Sequence, residues 1–204
     1  QTILLEDFRK DPQKNPISTP SGKIEIFSET VDSFNYQDCP GHPTWLEQEE
    51  WLGSNLTKQY PLQLISGQPH NRLHSQLDNG SESQNYKILG REPIKIHPQD
   101  AQTRGLVDGD VVEVFNKRGK CLAGVIISDE VMKGVVFLPV GAWYDPINDG
   151  DFCIHGNPNV LTEDIGTSSL AQGPSAHSTL VEIKKYTKEL PEINVLHKPS
   201  IVNK

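Results

Sequence analysis

Six polar side chains capable of gripping a ligand stand within ten residues of this sequence: His70, Arg72, His74, Ser75, Gln76 and Asn79, in the stretch YPLQLISGQPHNRLHSQLDNG from Tyr60 to Gly80. The set is rich in N–H and O–H donors but holds one permanent charge, Arg72. That balance suits a ligand combining phosphates with polar heterocyclic rings better than it suits a bulk polyanion. A polar surface loop with no ligand is the alternative these residues leave open. Farther along, Trp143 and Tyr144 in Gly141-Ala142-Trp143-Tyr144-Asp145-Pro146 offer flat apolar surface for a ring system. Asn159, in the run Gly156 to Thr162, and Gln172 offer amides that match alternating donors and acceptors on a heterocycle edge. The competing readings are core aromatics for Trp143 and Tyr144, and turn formers for Asn157 and Asn159.

Other chemistries find no support. There is no GxSxG elbow, no GxxxxGK[ST] loop, no GxGxxG fingerprint and no HExxH pair. Cys39, Cys121 and Cys153 are far apart and form no CxxC unit. Cys153 and His155 would supply two ligands where a closed zinc site takes about four, so no metal ligand is assigned. His97, His155 and His177 read as hydrogen-bonded structural residues, while His42 and His197 carry no assignment. Asp100, Asp108 and Asp110 sit beside helix and hairpin signals and read as cap and turn residues, not as an acid/base pair. No catalytic residue is assigned. A net charge of −8 argues against nucleic acid as a partner, and no apolar run approaches the roughly 20 residues of a membrane span. The N-terminus lacks the basic start and apolar core of a signal peptide, and it lacks an initiator Met, so the chain is expected to be part of a longer one.

The elements that must hold these residues are short strands. Leu62, Leu64 and Ile65 form an apolar run between Pro61 and Ser66-Gly67, which opens directly into the donor-rich loop. Pro93 to His97 alternates as a strand. Pro98 to Gly105 has proline at a first helical position, an early acid and a terminal glycine, which predicts a short helix. Val111 to Phe115 and Cys121 to Ser128 flank Asn116-Lys117-Arg118-Gly119 as an antiparallel hairpin. Val135 to Val140 and Thr179 to Lys185 are further strands. The stretch Asn79 to Tyr86 reads as turn-rich, and a Gly/Asp-rich loop precedes Cys153. Upstream, Lys23 to Ser28 alternates as a half-buried strand would, Ser28 to Thr30 opens a short helix, and the aromatics between Asp38 and Trp51 call for a packing partner. About six short strands with short helical connections predict a closed β-barrel over residues 59–186, after a connector at 1–58 and before a surface-wrapping tail at 187–204 that contains Pro191 and Pro199.

Five motifs in order resemble the C-terminal molybdopterin-dinucleotide-binding domain of the dimethyl-sulfoxide-reductase family of molybdenum enzymes. They are Thr19 to Glu25, Arg72 to Gln76, Pro98 to Ala101 with Asp108 to Asp110, Gly141 to Pro146, and Gly156 to Thr162. Leu77 to Gly80, Gly90 to Pro93 and Ile165 to Gly173 lean toward the biotin sulfoxide reductase branch, with trimethylamine-N-oxide reductase the close competitor. The resemblance implies a double-psi β-barrel covering one side of a bis(molybdopterin guanine dinucleotide) cofactor. It implies that His70, Arg72, His74, Ser75 and Gln76 contact pterin and phosphate groups, and that Trp143, Tyr144, Asn159 and Gln172 line the same cofactor. On this reading Arg72 and Ser75 hold a pyrophosphate. The remaining domains of the same polypeptide are partners and supply the metal ligand, a serine oxygen. The whole enzyme would reduce a small S-oxide or N-oxide (biotin sulfoxide, methionine sulfoxide, trimethylamine N-oxide or dimethyl sulfoxide) and would be a soluble bacterial protein, cytoplasmic in the favoured case and periplasmic in the alternative. A stand-alone double-psi barrel acting as a protein-interaction module is the alternative of another class; exposed apolar anchors, not a donor-dense loop, would mark it.

Overall fold

Six short strands close on themselves in the computed structural model, which describes residues 2–147, 150 and 152–198. The strands are β1 (Leu62–Ile65), β2 (Pro93–Ile96), β3 (Val111–Phe115), β4 (Lys120–Ile127), β5 (Val135–Phe137) and β8 (Leu180–Lys185), while β6 (Pro146–Ile147) and β7 (Phe152–Cys153) extend the edge of β4. Around the barrel the order is β2-β5-β1-β8-β3-β4, and a β2–β4 pairing closes the ring. Two of the pairings are parallel, β1 with β5 and β2 with β4, and the other four are antiparallel. Advancing each strand by three places in the barrel's chain order reproduces every neighbour and every direction. The topology thus carries an internal two-fold, as the expected double-psi β-barrel requires.

Alternation makes this barrel. Leu62 and Leu64, Ile94 and Ile96, and Val112 and Val114 are each 0–1% exposed at two-residue spacing, as inward strand positions should be. Each such side chain contributes roughly 1.5–3 kcal/mol on burial. The short strands would be marginal as an open sheet, and closure pairs their edges. A second apolar cluster, Val111, Leu122, Phe152 and Ile154, lies outside the ring and is covered by Tyr186, Leu190 and Ile193. Tyr186, Leu190 and Ile193 thus pack the segment after β8 onto the barrel. Within it, Asn194 and Val195 donate their backbone N–H groups to Asp145 Oδ2 at 2.7 and 3.0 Å. Pro199 and the rest of 199–204 lie outside the described residues, as do Asn148, Asp149 and Asp151 of the Gly/Asp-rich loop.

The chain divides into two compact units, Gln48–Ile165 with Pro174–Lys204, and Gln1–Glu47 with Gly166–Gly173. The smaller unit carries α1 (Glu6–Lys10) and α2 (Glu29–Asp32). Ser28 caps α2 as expected, its hydroxyl accepting the Val31 N–H. The strand anticipated at Lys23 to Ser28 does not form. Ile24 and Ile26 are 69% and 79% exposed, and no described strand lies beside them to complete a ladder. In the barrel unit, α4 (Pro98–Thr103) is the predicted short helix. The stretch read as turn-rich instead winds into α3 (Ser81–Tyr86), where buried Ser83 faces the barrel unit's interior.

Candidate functional site

Three connections at one end of the barrel build a trough. The first leaves β1. Here His74 and Leu77 take left-handed backbone conformations, φ 50° and 63°, and the Gln76 N–H returns to the Leu73 carbonyl at 2.9 Å. Such conformations are rare for side-chain-bearing residues and need support from their surroundings. Two amides provide it: Gln68 Nε2 donates to Arg72 O at 2.7 Å and Gln84 Nε2 to Asp78 O at 2.5 Å. The second connection follows β5, where the Val140 N–H donates to Gly67 O at 3.0 Å. Gly141, at φ 96°, then runs so close to the first loop that a Cβ would lie 1.8 Å from His74 O. Only glycine satisfies both demands. Trp143 ties the two loops together, its indole N–H donating to Ser75 O at 2.7 Å.

The third connection follows β7. Asn157 Nδ2 donates to Ala142 O at 2.9 Å, and Asn157 Oδ1 caps the 3₁₀ turn Pro158–Val160 by accepting the Asn159 N–H at 2.9 Å. Asn157 is thus a turn former, as one reading had it, and also a clamp between two walls. Gly156 sets its approach: at φ 94° its Cβ would meet Glu92 Cβ at 2.5 Å. His74, Ser75, Val140 to Tyr144, Asn157 and Asn159 enclose a concavity of about 420 Å³. A second of about 420 Å³ shares Tyr144, Asn157 and Asn159 and adds Val160. The shared residues make the two one elongated trough.

Beneath it lies a buried ionic cluster that sequence reasoning did not isolate. Arg72 Nη2 donates to Glu92 Oε1 at 2.9 Å and to Val140 O at 2.7 Å. Lys87 Nζ bridges Asp78 Oδ1 and Glu92 Oε2, each at 2.8 Å, and all four side chains are 0–2% exposed. Asp78 Oδ2 accepts the Trp143 N–H at 2.8 Å. Two cations and two carboxylates balance, which is the condition for burying charge at tolerable cost. His155, 0% exposed, packs against them with Nδ1 3.0 Å from Trp143 O. Burial, then the Lys87 charge, lowers its pKa despite the Trp143 carbonyl, Asp78 and Glu92. It therefore stays neutral and leaves the charge balance intact.

The expected site residues divide accordingly. His74, Ser75, Trp143, Tyr144 and Asn159 come together on the trough. His70 and Gln76 are exposed on the same loop but do not line it. The Arg72 guanidinium, expected to face a pyrophosphate, points inward. Its side chain is 1% exposed because Glu92 and Val140 O take its Nη2 donor inside the chain, with Asp78 3.7 Å from Nη1. Gln172 belongs to the smaller unit, where Nε2 donates to Ser168 O at 2.8 Å. The histidines read as structural are so: His97 Nδ1 accepts the Gln99 N–H at 3.2 Å and His177 Nδ1 the Ser66 N–H at 3.3 Å. Asp110, read as a turn residue, accepts the Val107 N–H three residues back, whereas Asp100 and Asp108 accept the N–H groups of Gly134 and Ile127, far along the chain, and so tie elements together instead of capping them. Asp78, Lys87 and Glu92 were missed because their spacing follows no period. Among the described residues no group of three His, Cys, Asp or Glu side chains is placed to hold a metal ion.

A family model described as "Molydopterin dinucleotide binding domain" matches residues 62–180, all six barrel strands up to the start of the last. The chain belongs to this family. Trimethylamine-N-oxide reductase of Haemophilus influenzae is 50% identical over 98% of this chain and 25% of that protein. Trimethylamine-N-oxide reductase 1 of Escherichia coli K12 is 50% identical over 94% and 23%, and the dimethyl sulfoxide/trimethylamine N-oxide reductase of Cereibacter sphaeroides 45% over 97% and 24%. The chain thus spans about a quarter of the length of these curated relatives. Acetylene hydratase from Pelobacter acetylenicus shares the fold, with a TM-score of 0.68 at 21% identity over 86% of this chain and 25% of that one. The domain accordingly binds a molybdopterin dinucleotide, and these relatives carry trimethylamine-N-oxide or dimethyl sulfoxide reductase names; the leaning toward the biotin sulfoxide branch gains no support. No helix among the described residues is long and apolar enough to cross a membrane.

Proposed function

We propose that this domain holds one half of a bis(molybdopterin guanine dinucleotide) cofactor, with molybdenum, in an enzyme that reduces trimethylamine N-oxide or a related S- or N-oxide. The observation that carries the reading is the shared trough of His74, Ser75, Trp143, Tyr144 and Asn159. The donor set fits the cofactor. An exposed amide at Asn159, an imidazole at His74 and a hydroxyl at Ser75 can pair with the edges of a pterin or guanine, and Tyr144 offers ring surface. No Lys or Arg lines the trough. On this reading the domain meets the heterocycles and ribose with an amide, a hydroxyl and an imidazole.

When bound, that cofactor supplies the two-electron chemistry that removes oxygen from an S-oxide or N-oxide. This chain binds and orients it and shields one side from water; the metal ligand and the substrate pocket belong to the remaining domains of the polypeptide, which are its partners. The compartment, the bacterial cytoplasm or alternatively the periplasm, belongs to the same reading. In the full-length protein, Asn159→Leu is expected to lower molybdenum and guanine-nucleotide content about tenfold under limiting cofactor, the effect of losing one or two amide hydrogen bonds. Unchanged content would refute the assignment.

A further inference from the structure

Lys87 lines no part of the trough, yet two of the hydrogen bonds that hold the trough's middle wall run to the buried cluster it neutralises. The wall segment Val140–Trp143 is tied to the buried cluster at two atoms. Arg72 Nη2 holds Val140 O from below at 2.7 Å, and Asp78 Oδ2 holds the Trp143 N–H at 2.8 Å. Asp78 is 0% exposed. Lys87 Nζ, at 2.8 Å from Oδ1, is the cation nearest this buried carboxylate; Arg72 Nη1 stands at 3.7 Å. Lys87 also reaches Glu92 Oε2, whose other oxygen orients Arg72. One ammonium therefore sets both attachment points.

We propose that Lys87 is a positioning residue for the ligand trough, acting through Asp78 on the Trp143 backbone and through Glu92 and Arg72 on Val140. The effect reaches the trough surface because Trp143 carries the tie to Ser75 O, and Gly141 has no slack against His74 O. A Trp143 amide that drifts from Asp78 carries the indole with it and parts the first two walls. His155 completes the arrangement: its Nδ1 lies 3.0 Å from Trp143 O and 3.7 Å from Asp78 Oδ2. This inference rests on the reading of the trough as the cofactor site, but its test does not depend on that reading alone.

The test compares Lys87→Met with the pair Lys87→Met, Asp78→Asn in the full-length protein. The single variant leaves two buried carboxylates against the one Arg72 cation; the pair restores the balance and keeps an oxygen able to accept the Trp143 N–H. Hydrogen exchange at the Trp143 amide is read together with molybdenum and guanine-nucleotide content, and protection of the Leu64, Val112 and Val136 amides reports that the barrel is intact. The single variant should exchange about tenfold faster at Trp143 and lose cofactor by a similar factor, the size of one buried charge-assisted hydrogen bond. The pair should recover protection and content to within about threefold of wild type. A Lys87→Met variant that keeps both at the wild-type level, or a pair that recovers neither, overturns the proposal. Should the single variant fail to fold, the pair decides by itself: an unprotected Trp143 amide overturns the proposal and a protected one supports it. A wild-type protein carrying no such cofactor sinks the ligand reading, and the exchange contrast still judges the positioning.

Discussion

Gly141→Ala tests the geometry of the site most directly, because the structure separates two costs that usually come mixed. At φ 96° an alanine pays a backbone penalty, and its Cβ would sit 1.8 Å from His74 O, 2.5 Å from His74 C and 3.0 Å from Arg72 Nε. Real carbon–oxygen contacts begin near 3 Å, so the His74 carbonyl must retreat by about 1 Å into a loop held by Gln68, Trp143 and Arg72. Gly109 is the control: its φ is 84° and nothing lies within 4 Å of where a Cβ would stand. Gly109→Ala should therefore cost only the left-handed penalty, about 1–2 kcal/mol. Gly141→Ala should cost that plus an overpacking cost of about 1–3 kcal/mol. Native-state hydrogen exchange at the amides of β1 and β4 in the full-length protein reads both values. The excess should be accompanied by a fall in cofactor content, which Gly109→Ala should leave at the wild-type level. Equal costs for the two variants would refute the close approach of the two loops, and with it the trough.

Four further outcomes are expected. Arg72→Met should destabilise the barrel by about 3–5 kcal/mol in the same exchange measurement, because it strands part of the Glu92 charge in the interior; a loss of cofactor with no loss of stability would restore the phosphate-fork role. Burial raises the Glu50 pKa, but the Arg118 fork and the Leu180 N–H more than offset it and hold the carboxyl below its ordinary value of 4.5. The folded state thus binds the proton more weakly than the unfolded chain, so this stability is present above pH 4.5 and declines as pH falls through the lower folded value; Glu50→Gln should flatten the acid limb of a pH–stability profile. His155 follows the same sign from a higher starting point: its lowered pKa means that stability falls as pH drops below 6.5, and His155→Gln should reduce that slope, a profile unchanged in the variant counting against a buried neutral imidazole. Asp145→Ala should release the segment around Asn194 and Val195, read as protease cleavage after Lys188, since both N–H groups lose their acceptor.

Much of the barrel was legible one strand at a time. Leu62/Leu64, Pro93 to His97, and the hairpin around Asn116 to Gly119 announce themselves because a half-buried strand must alternate and a tight turn needs Asn and Gly. The trough was legible in part: the residue types at His74, Ser75, Trp143, Tyr144 and Asn159 already suited a ring-bearing ligand. Lys23 to Ser28 misled for the converse reason. Its alternation is that of a strand, but a strand exists only beside a partner, and local sequence cannot say whether one is present.

What the sequence determined by itself was chemistry and local propensity: which stretches extend, which turn, and that donors crowd the loop after β1. Only the tertiary structure decided which way Arg72 points. A guanidinium two residues from His74 serves a phosphate equally well by type. Its direction is set by Glu92 and Val140, brought beneath the loop by barrel closure, and by Lys87 and Asp78, which complete the charge balance there. Burying a charge is a property of everything around it, and those neighbours are assembled from segments that no short-range pattern connects.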